Sequence, residues 1–190
     1  METIDPRNLL LKIVLILDNL GIDYFVTGGF AVTVWGRMRT TNDIDIAVQL
    51  IKQQINTLAE ALRKISNYGY IDEDKAVEAV QNDGEFNFID PDTGYKVDFF
   101  VSQKEKFNAS EFRRKKTEII LGERINFISP DDLILSKLRW HKMSQSSRHI
   151  EDIESILKIS GKKLDKKYLK KMAAKQGILN ELNNLLKLKQ

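Results

Sequence analysis

The sequence predicts an α/β chain of the α+β kind: a mixed-sheet body over residues 1–128, followed by a helical region over 129–190. Three observations carry this reading. "DIDIAV", beginning at Asp43, alternates polar and apolar residues as a half-buried strand does. "EFNFID" and "YKVDFFV" flank "PDTG", a run of turn formers, so the two segments read as a hairpin. From Pro130 onward the pattern is helical, broken near Ser144–Ser147, Gly161 and Gly177. A sheet that contains both hairpins and crossovers is mixed rather than purely parallel.

The elements follow in order. Asp5-Pro6 supplies an N-cap and a first-turn proline, so a helix runs from Pro6 to Leu20 and stops at Gly21. "IDYFVTGG" reads as a short strand entering a glycine turn, and "FAVTVWG" as a brief helix ended by Gly36. Lys52–Tyr68 places Ile55, Leu58, Ala59, Leu62 and Ile65 at helical spacing. "EIILGERINFI", centred on Gly122, predicts a second hairpin.

Composition narrows the function classes. The chain has 190 residues, of which 42% are hydrophobic and 30% charged, enough apolar content for a core and ordinary charge for a soluble protein. Its longest apolar run, "LLLKIVLIL" at Leu9–Leu17, is broken by Lys12 and too short to cross a bilayer. No signal-peptide pattern opens the sequence, so the expected location is the cytoplasm. The absence of cysteine excludes disulfides and thiolate zinc sites, and two histidines argue against a His-rich metal site. The net charge of +3 is unevenly spread: nine lysines from Lys162 onward face only Asp165 and Glu181. That basic tail reads either as a solvated helix face or as a surface for nucleic acid or a phosphorylated substrate.

The chemistry is concentrated in three aspartates. On a strand, residues i and i+2 share a face, roughly 6–7 Å apart. Asp43 and Asp45 therefore project together while Ile44 and Ile46 enter the core. Asp98 stands mid-strand between Val97 and Phe99, where an unpaired carboxylate is costly. If its strand neighbours "DIDI", three carboxylates converge, and an all-oxygen set suits Mg²⁺ or Mn²⁺, as two ions. Taken alone, an Asp-x-Asp pair also fits solvated strand carboxylates. Gly28 and Gly29, opening a helix after a strand, let backbone N–H groups approach a phosphate; their plainer reading is a tight turn. The order of strand, glycine pair, short helix, paired aspartates and a later third aspartate is the specific feature.

That order resembles the nucleotidyltransferase superfamily of the DNA polymerase β type, and more closely a subgroup near the AbiEii-like toxin nucleotidyltransferases. The matching motifs are "GG-x-A…R-x-T-x-D-I-D" (Gly28, Gly29, Ala31, Arg39, Thr41, Asp43, Ile44, Asp45), "IDP-x-TG-x-KVD-x-F" (Ile89 to Phe100) and "SP-x-DLIL-x-KLRW" (Ser129 to Trp140). A closing "S-x-R…D" is matched by Ser146 or Ser147, Arg148 and Asp152. The resemblance implies transfer of a nucleoside monophosphate from an NTP to an acceptor, with Asp43 and Asp45 ligating both metals and Asp98 the catalytic one. It also implies that the helical region completes the nucleotide site. One departure stands out: Phe30 follows the glycine pair where superfamily members often carry Ser or Thr.

Cations are needed around a triphosphate. Lys137 falls on the apolar arc of its helix, where a lysine snorkels outward or pairs with an anion, and the motif favours phosphate. Arg148 and Asp152 form an i,i+4 pair bordering the nucleotide site in the family pattern. Arg39 reads as a phosphate contact or a clamp on Asp43, and Arg37 as solvated. His141 and His149 read as structural; Trp35 and Trp140 read as packing residues. The acceptor is left open among an RNA end, a protein hydroxyl and a small alcohol, and a toxic role implies a cognate antitoxin. Two other classes compete: a nucleotide- or RNA-binding module without turnover, and a toxin–antitoxin component acting by contact alone.

Overall fold

The apolar segments of the chain gather into two units in the computed structural model, which describes residues 5–102 and 109–187. One unit comprises Met1–Phe30 and Thr40–Ile128, and the other Ala31–Arg39 and Ser129–Gln190. Ala31–Arg39 thus group with the helical residues, in a stretch the sequence reading assigns to the body.

In the first unit, α1 (Pro6–Asn19) begins as its sequence dictates: the Asp5 carboxylate accepts from the Arg7 N–H, and proline occupies the first turn. It buries Leu9, Leu10, Ile13, Val14 and Leu17. The strands β1 (Asp23–Val26), β2 (Asp43–Gln49), β3 (Tyr70–Ile71), β4 (Glu85–Asp90), β5 (Tyr95–Val101), β6 (Lys116–Ile120) and β7 (Glu123–Phe127) form a seven-stranded sheet in the order β3-β4-β5-β2-β1-β7-β6. Two pairings, β2 with β5 and β1 with β7, are parallel and the rest antiparallel, so the sheet is mixed as expected. Both hairpins form. The β6–β7 turn puts Leu121 and Gly122 in left-handed conformations, the geometry that matches strand twist in tight hairpins.

The helix expected over Lys52–Tyr68 is shorter. A 3₁₀ turn at Lys52–Gln54 leads into α3 (Ile55–Arg63), whose buried stripe of Ile55, Leu58, Ala59 and Leu62 is complete by its last turn. Ser66, Asn67 and Gly69 follow, and these residues favour turns over helix. β3 and α4 (Glu73–Asn82) are absent from the sequence reading. α4 carries a readable start signal: Asp72 caps the Lys75 N–H, with Glu73 and Asp74 in the first turn. A short α5 (Ala109–Arg114) also lies outside that reading. α2 (Gly28–Trp35) starts at the glycine pair itself rather than at Phe30.

The second unit is helical: α6 (Pro130–Ser144), α7 (Ser147–Ser160), a 3₁₀ turn at Gly161–Lys163, α8 (Lys166–Lys175) and α9 (Leu179–Lys187). Its breaks fall where the sequence puts them. Two acids at the α6 start are buried and tied to α8 and its cap: Asp131 accepts from the Asp165 N–H at 2.8 Å, and the Tyr168 hydroxyl donates to Asp132 at 2.6 Å. The Ser160 hydroxyl donates to the Trp35 carbonyl at 2.6 Å, and Trp35 is buried. Trp140, in contrast, is half exposed, so it is not the packing residue expected; the apolar side of α6 is already filled by Leu133, Ile134 and Leu138. Among the described residues no helix is long and apolar enough to cross a membrane.

Candidate active site

Parallel pairing of β2 with β5 decides where the acids meet. Asp43 lies opposite Lys96, and Asp45 opposite Asp98. In-register residues of neighbouring strands share a face. Four charged side chains therefore form a two-by-two array on one side of the sheet. The alternation agrees: Ile44, Ile46, Val97 and Phe99 are completely buried, while Asp43, Asp45, Lys96 and Asp98 are only partly covered.

The glycine turn abuts this array. The Thr27 N–H donates to the Asp45 carbonyl at 2.8 Å, which fastens the end of β1 to β2. Gly28 has φ of 57°, a conformation that side chains resist, and a Cβ there would run into the Asp45 carboxylate. Glycine is thus required for two reasons, and the start of α2 sits against the acid rather than merely before it in sequence. The Thr41 hydroxyl donates to the Asp43 carbonyl at 3.1 Å, bracing the entry to β2.

Lys96 escaped the sequence reading. Its ammonium lies 2.8 Å from Asp98 Oδ2. The lysine is held above its ordinary pKa, first by that hydrogen bond and then by the charges of Asp98, Asp43 and Asp45, against a desolvation penalty of opposite sign. The signal was legible, since Lys96 stands two residues before Asp98 and strand period puts both on one face. Asp98 also borders a cleft of about 320 Å³ walled by Lys75, Glu78 and Asn82 of α4 and Asn87 of β4.

A divalent ion fits the chemistry of this donor set. The candidate donors are hard oxygens only, and a cationic head already stands among them. Among the described residues, no group of three or more acids or histidines is disposed to hold a metal ion as it stands. The physical reason is visible: Asp98 is turned to Lys96, and Asp45 lies against Gly28.

The cations expected from the C-terminal motifs belong to the helical unit and meet a different acid. Asp152 of α7 is fully buried, with Lys137 Nζ of α6 at 3.0 Å and Arg39 Nε at 3.3 Å. Both approaches lie in ion-pair range, yet neither Asp152 oxygen has hydrogen-bond geometry with a described residue. Lys137 is buried on the inward arc, as its helical position demands, and pairs with an anion rather than snorkelling out. Arg39 pairs with Asp152 at 3.3 Å. The expected Arg148–Asp152 pair does not form, and Arg148 is exposed. Asp152 is instead turned inward to Lys137 and Arg39, while Arg148 stays in solvent. Arg37 pairs with Glu151 at 2.6 Å in solvent. Burial pushes the His149 pKa down, assisted by the nearby Lys137 charge, and His149 Nδ1 is buried without a hydrogen-bond partner among the described residues. The same unit has a second cleft, floored by Leu157, Leu164 and Leu169 and rimmed by Lys158, Lys162, Lys166 and Lys170.

Solved structures that share this fold include nucleotidyltransferases. ANT(2'')-Ia in complex with adenylyl-2''-tobramycin is 16% identical, with a TM-score of 0.59 over 88% of this chain and 94% of that one. A lincosamide antibiotic adenylyltransferase, LnuA, bound to lincomycin, is 15% identical, with a TM-score of 0.56 over 79% and 95%. A putative nucleotidyltransferase from Thermotoga maritima is 14% identical, with a TM-score of 0.52 over 78% and 94%. At such identities the likeness establishes the fold. No curated protein matches the sequence. The family model for the nucleotidyl transferase AbiEii toxin, type IV toxin–antitoxin system, matches residues 9–188, and the chain belongs to that family. It is accordingly an enzyme of the nucleotidyltransferase class.

Proposed function

We propose that the protein transfers a nucleoside monophosphate from an NTP to an acceptor hydroxyl in a reaction that depends on Mg²⁺ or Mn²⁺. The observation that carries this reading is the register of β2 against β5, which brings Asp43, Asp45 and Asp98 onto one face beside the Gly28 turn. In this reading Asp43 and Asp45 would hold two ions and Asp98 one of them. When bound, the ions would supply Lewis acidity at the attacking oxygen and charge neutralisation at the leaving pyrophosphate. The chain's own groups do the remaining work. Gly28 and Gly29 open α2, the end of a helix that suits phosphate, a role that needs no Ser or Thr at position 30. Phe30 is buried and serves the core. Thr41 keeps Asp43 in place through its backbone. Asp98 accepts the acceptor's proton when it is free of Lys96.

The helical unit supplies the nucleotide-binding cations in this proposal. Asp152 pairs with Lys137 and Arg39, and the exposed Arg148 is proposed as a further phosphate contact. The acceptor is an RNA end. The lysine-rimmed cleft supports this choice: among the described residues four cations and no acid line it, as suits a polyanion. A protein hydroxyl and a small alcohol are the competing acceptors. A toxic role, and a cognate antitoxin that opposes it, follow from the family description.

The test is label transfer. Protein incubated with each α-labelled NTP, Mg²⁺ and either total RNA or total protein should label the RNA fraction. Asp43→Ala with Asp45→Ala should abolish the label. Equal labelling by the double variant would refute the reading, and label on protein alone would reassign the acceptor.

A further inference from the structure

We propose that Lys96 is a resident counter-cation of the aspartate array, occupying in the metal-free protein the charge position that a divalent ion takes over. The inference rests on the metal-dependent reading above and goes beyond it, because it assigns a job to a residue that reading does not use.

Three carboxylates on adjacent strands repel one another, and like charges set side by side on a sheet face destabilise it. The array answers this within its own strands. Lys96 stands directly across from Asp43 and two residues before Asp98, so all four heads share one face. Its ammonium contacts Asp98 at 2.8 Å, and its side chain is less covered than that of Asp98. Hence the lysine reaches over the acids from the solvent side, where a flexible four-carbon stem can swing away. One positive head against three negative ones leaves a net charge of −2, which still attracts a divalent cation. Such an ion competes with Lys96 for Asp98. Once displaced, the ammonium remains tethered beside the array, within reach of the phosphate groups that accompany the ion. The lysine is thus a positioning residue: it keeps the acids folded together without metal and yields when metal arrives.

The test measures Mn²⁺ affinity by electron paramagnetic resonance on the full chain, with thermal melts in EDTA and in Mn²⁺. Lys96→Met should bind Mn²⁺ about five- to tenfold more tightly than the unaltered protein, since the competing charge is gone. Its melting temperature should be lower in EDTA, and the deficit should close when Mn²⁺ is added. Lys96→Arg, which keeps the charge, should restore both values toward those of the unaltered protein. Lys96→Gln, which keeps a polar head without charge, should behave like the methionine variant and carries the test if that variant does not fold. Unchanged or weaker Mn²⁺ affinity in both neutral variants would overturn the proposal while leaving the metal-dependent reading intact. Failure of the unaltered protein to bind Mn²⁺ more tightly than Asp45→Asn would overturn the reading itself.

Discussion

Single residues carry the strongest commitments in this protein. Asp152 is a completely buried carboxylate between Lys137 and Arg39, so its removal takes the paired acid from a lysine that is itself largely covered and removes one partner of Arg39. Breaking such a pair by deleting one partner costs about 3–5 kcal/mol, and Asp152→Ala should lower the denaturation midpoint accordingly. A loss below about 1 kcal/mol in urea unfolding would show that the cluster is not held by charge. His149, beside that cluster, gives a pH signature. Burial and the Lys137 charge lower its folded pKa, with Arg39 and His141 acting in the same direction and Asp152 opposing them. The unfolded chain therefore binds the proton more readily. The stability from neutral His149 is fully present above about pH 6.5 and is lost as pH falls toward its depressed folded pKa. Melts of His149→Asn between about pH 7 and pH 5 should decline less steeply than those of the unaltered protein; identical slopes would contradict the assignment.

At the scale of elements, cap chemistry and register determine which segments reach the site. α6 starts at Ser129-Pro130 with Ser129 accepting from the Asp132 N–H, and the same Asp132 receives the Tyr168 hydroxyl of α8. A hydrogen bond to a buried charged group contributes about 1.5–3 kcal/mol. Tyr168→Phe should cost that much in an equilibrium melt and leave the far-ultraviolet spectrum unchanged; no loss would mean that this hydrogen bond does not help to hold α8. Element legibility followed the same physics. The Asp5-Pro6 start, the "PDTG" hairpin and the helix breaks at Gly161 and Gly177 are local signals, and they read correctly. Lys52–Tyr68 misled because apolar spacing continues to Ile65, while the burial of Leu62 and the turn residues after it end the helix sooner. α4 carries its own start signal at Asp72, but its interior buries only Ala76 and Ala79, too slight an apolar stripe to attract notice. The acid array was half legible. Asp43 with Asp45, and Lys96 with Asp98, share a face by strand period, whereas the meeting of these two pairs, and that of Asp152 with Lys137 and Arg39, is long-range and depends on which strands and helices become neighbours.

For the molecule as a whole, charge separates two surfaces by sign: an acid array with one lysine on the sheet face, and a lysine-rimmed cleft on the helical unit. If that cleft carries the RNA acceptor, affinity for RNA should fall steeply with salt. Lys162→Glu with Lys166→Glu should weaken binding at least tenfold and flatten the salt slope by about one for each phosphate no longer neutralised. Salt-insensitive binding would assign the cleft elsewhere. Membership in the AbiEii nucleotidyl transferase family gives the class of chemistry, and the β2–β5 register puts on one face the three carboxylates proposed to perform it. The most direct measurement is pyrophosphate release by Asp98→Asn in the presence of NTP, Mg²⁺ and RNA, on protein shown by thermal melt to be folded. The account predicts at least a hundredfold loss relative to the unaltered chain, because the third carboxylate is then neither a metal ligand nor a proton acceptor. Release at the unaltered rate would contradict it.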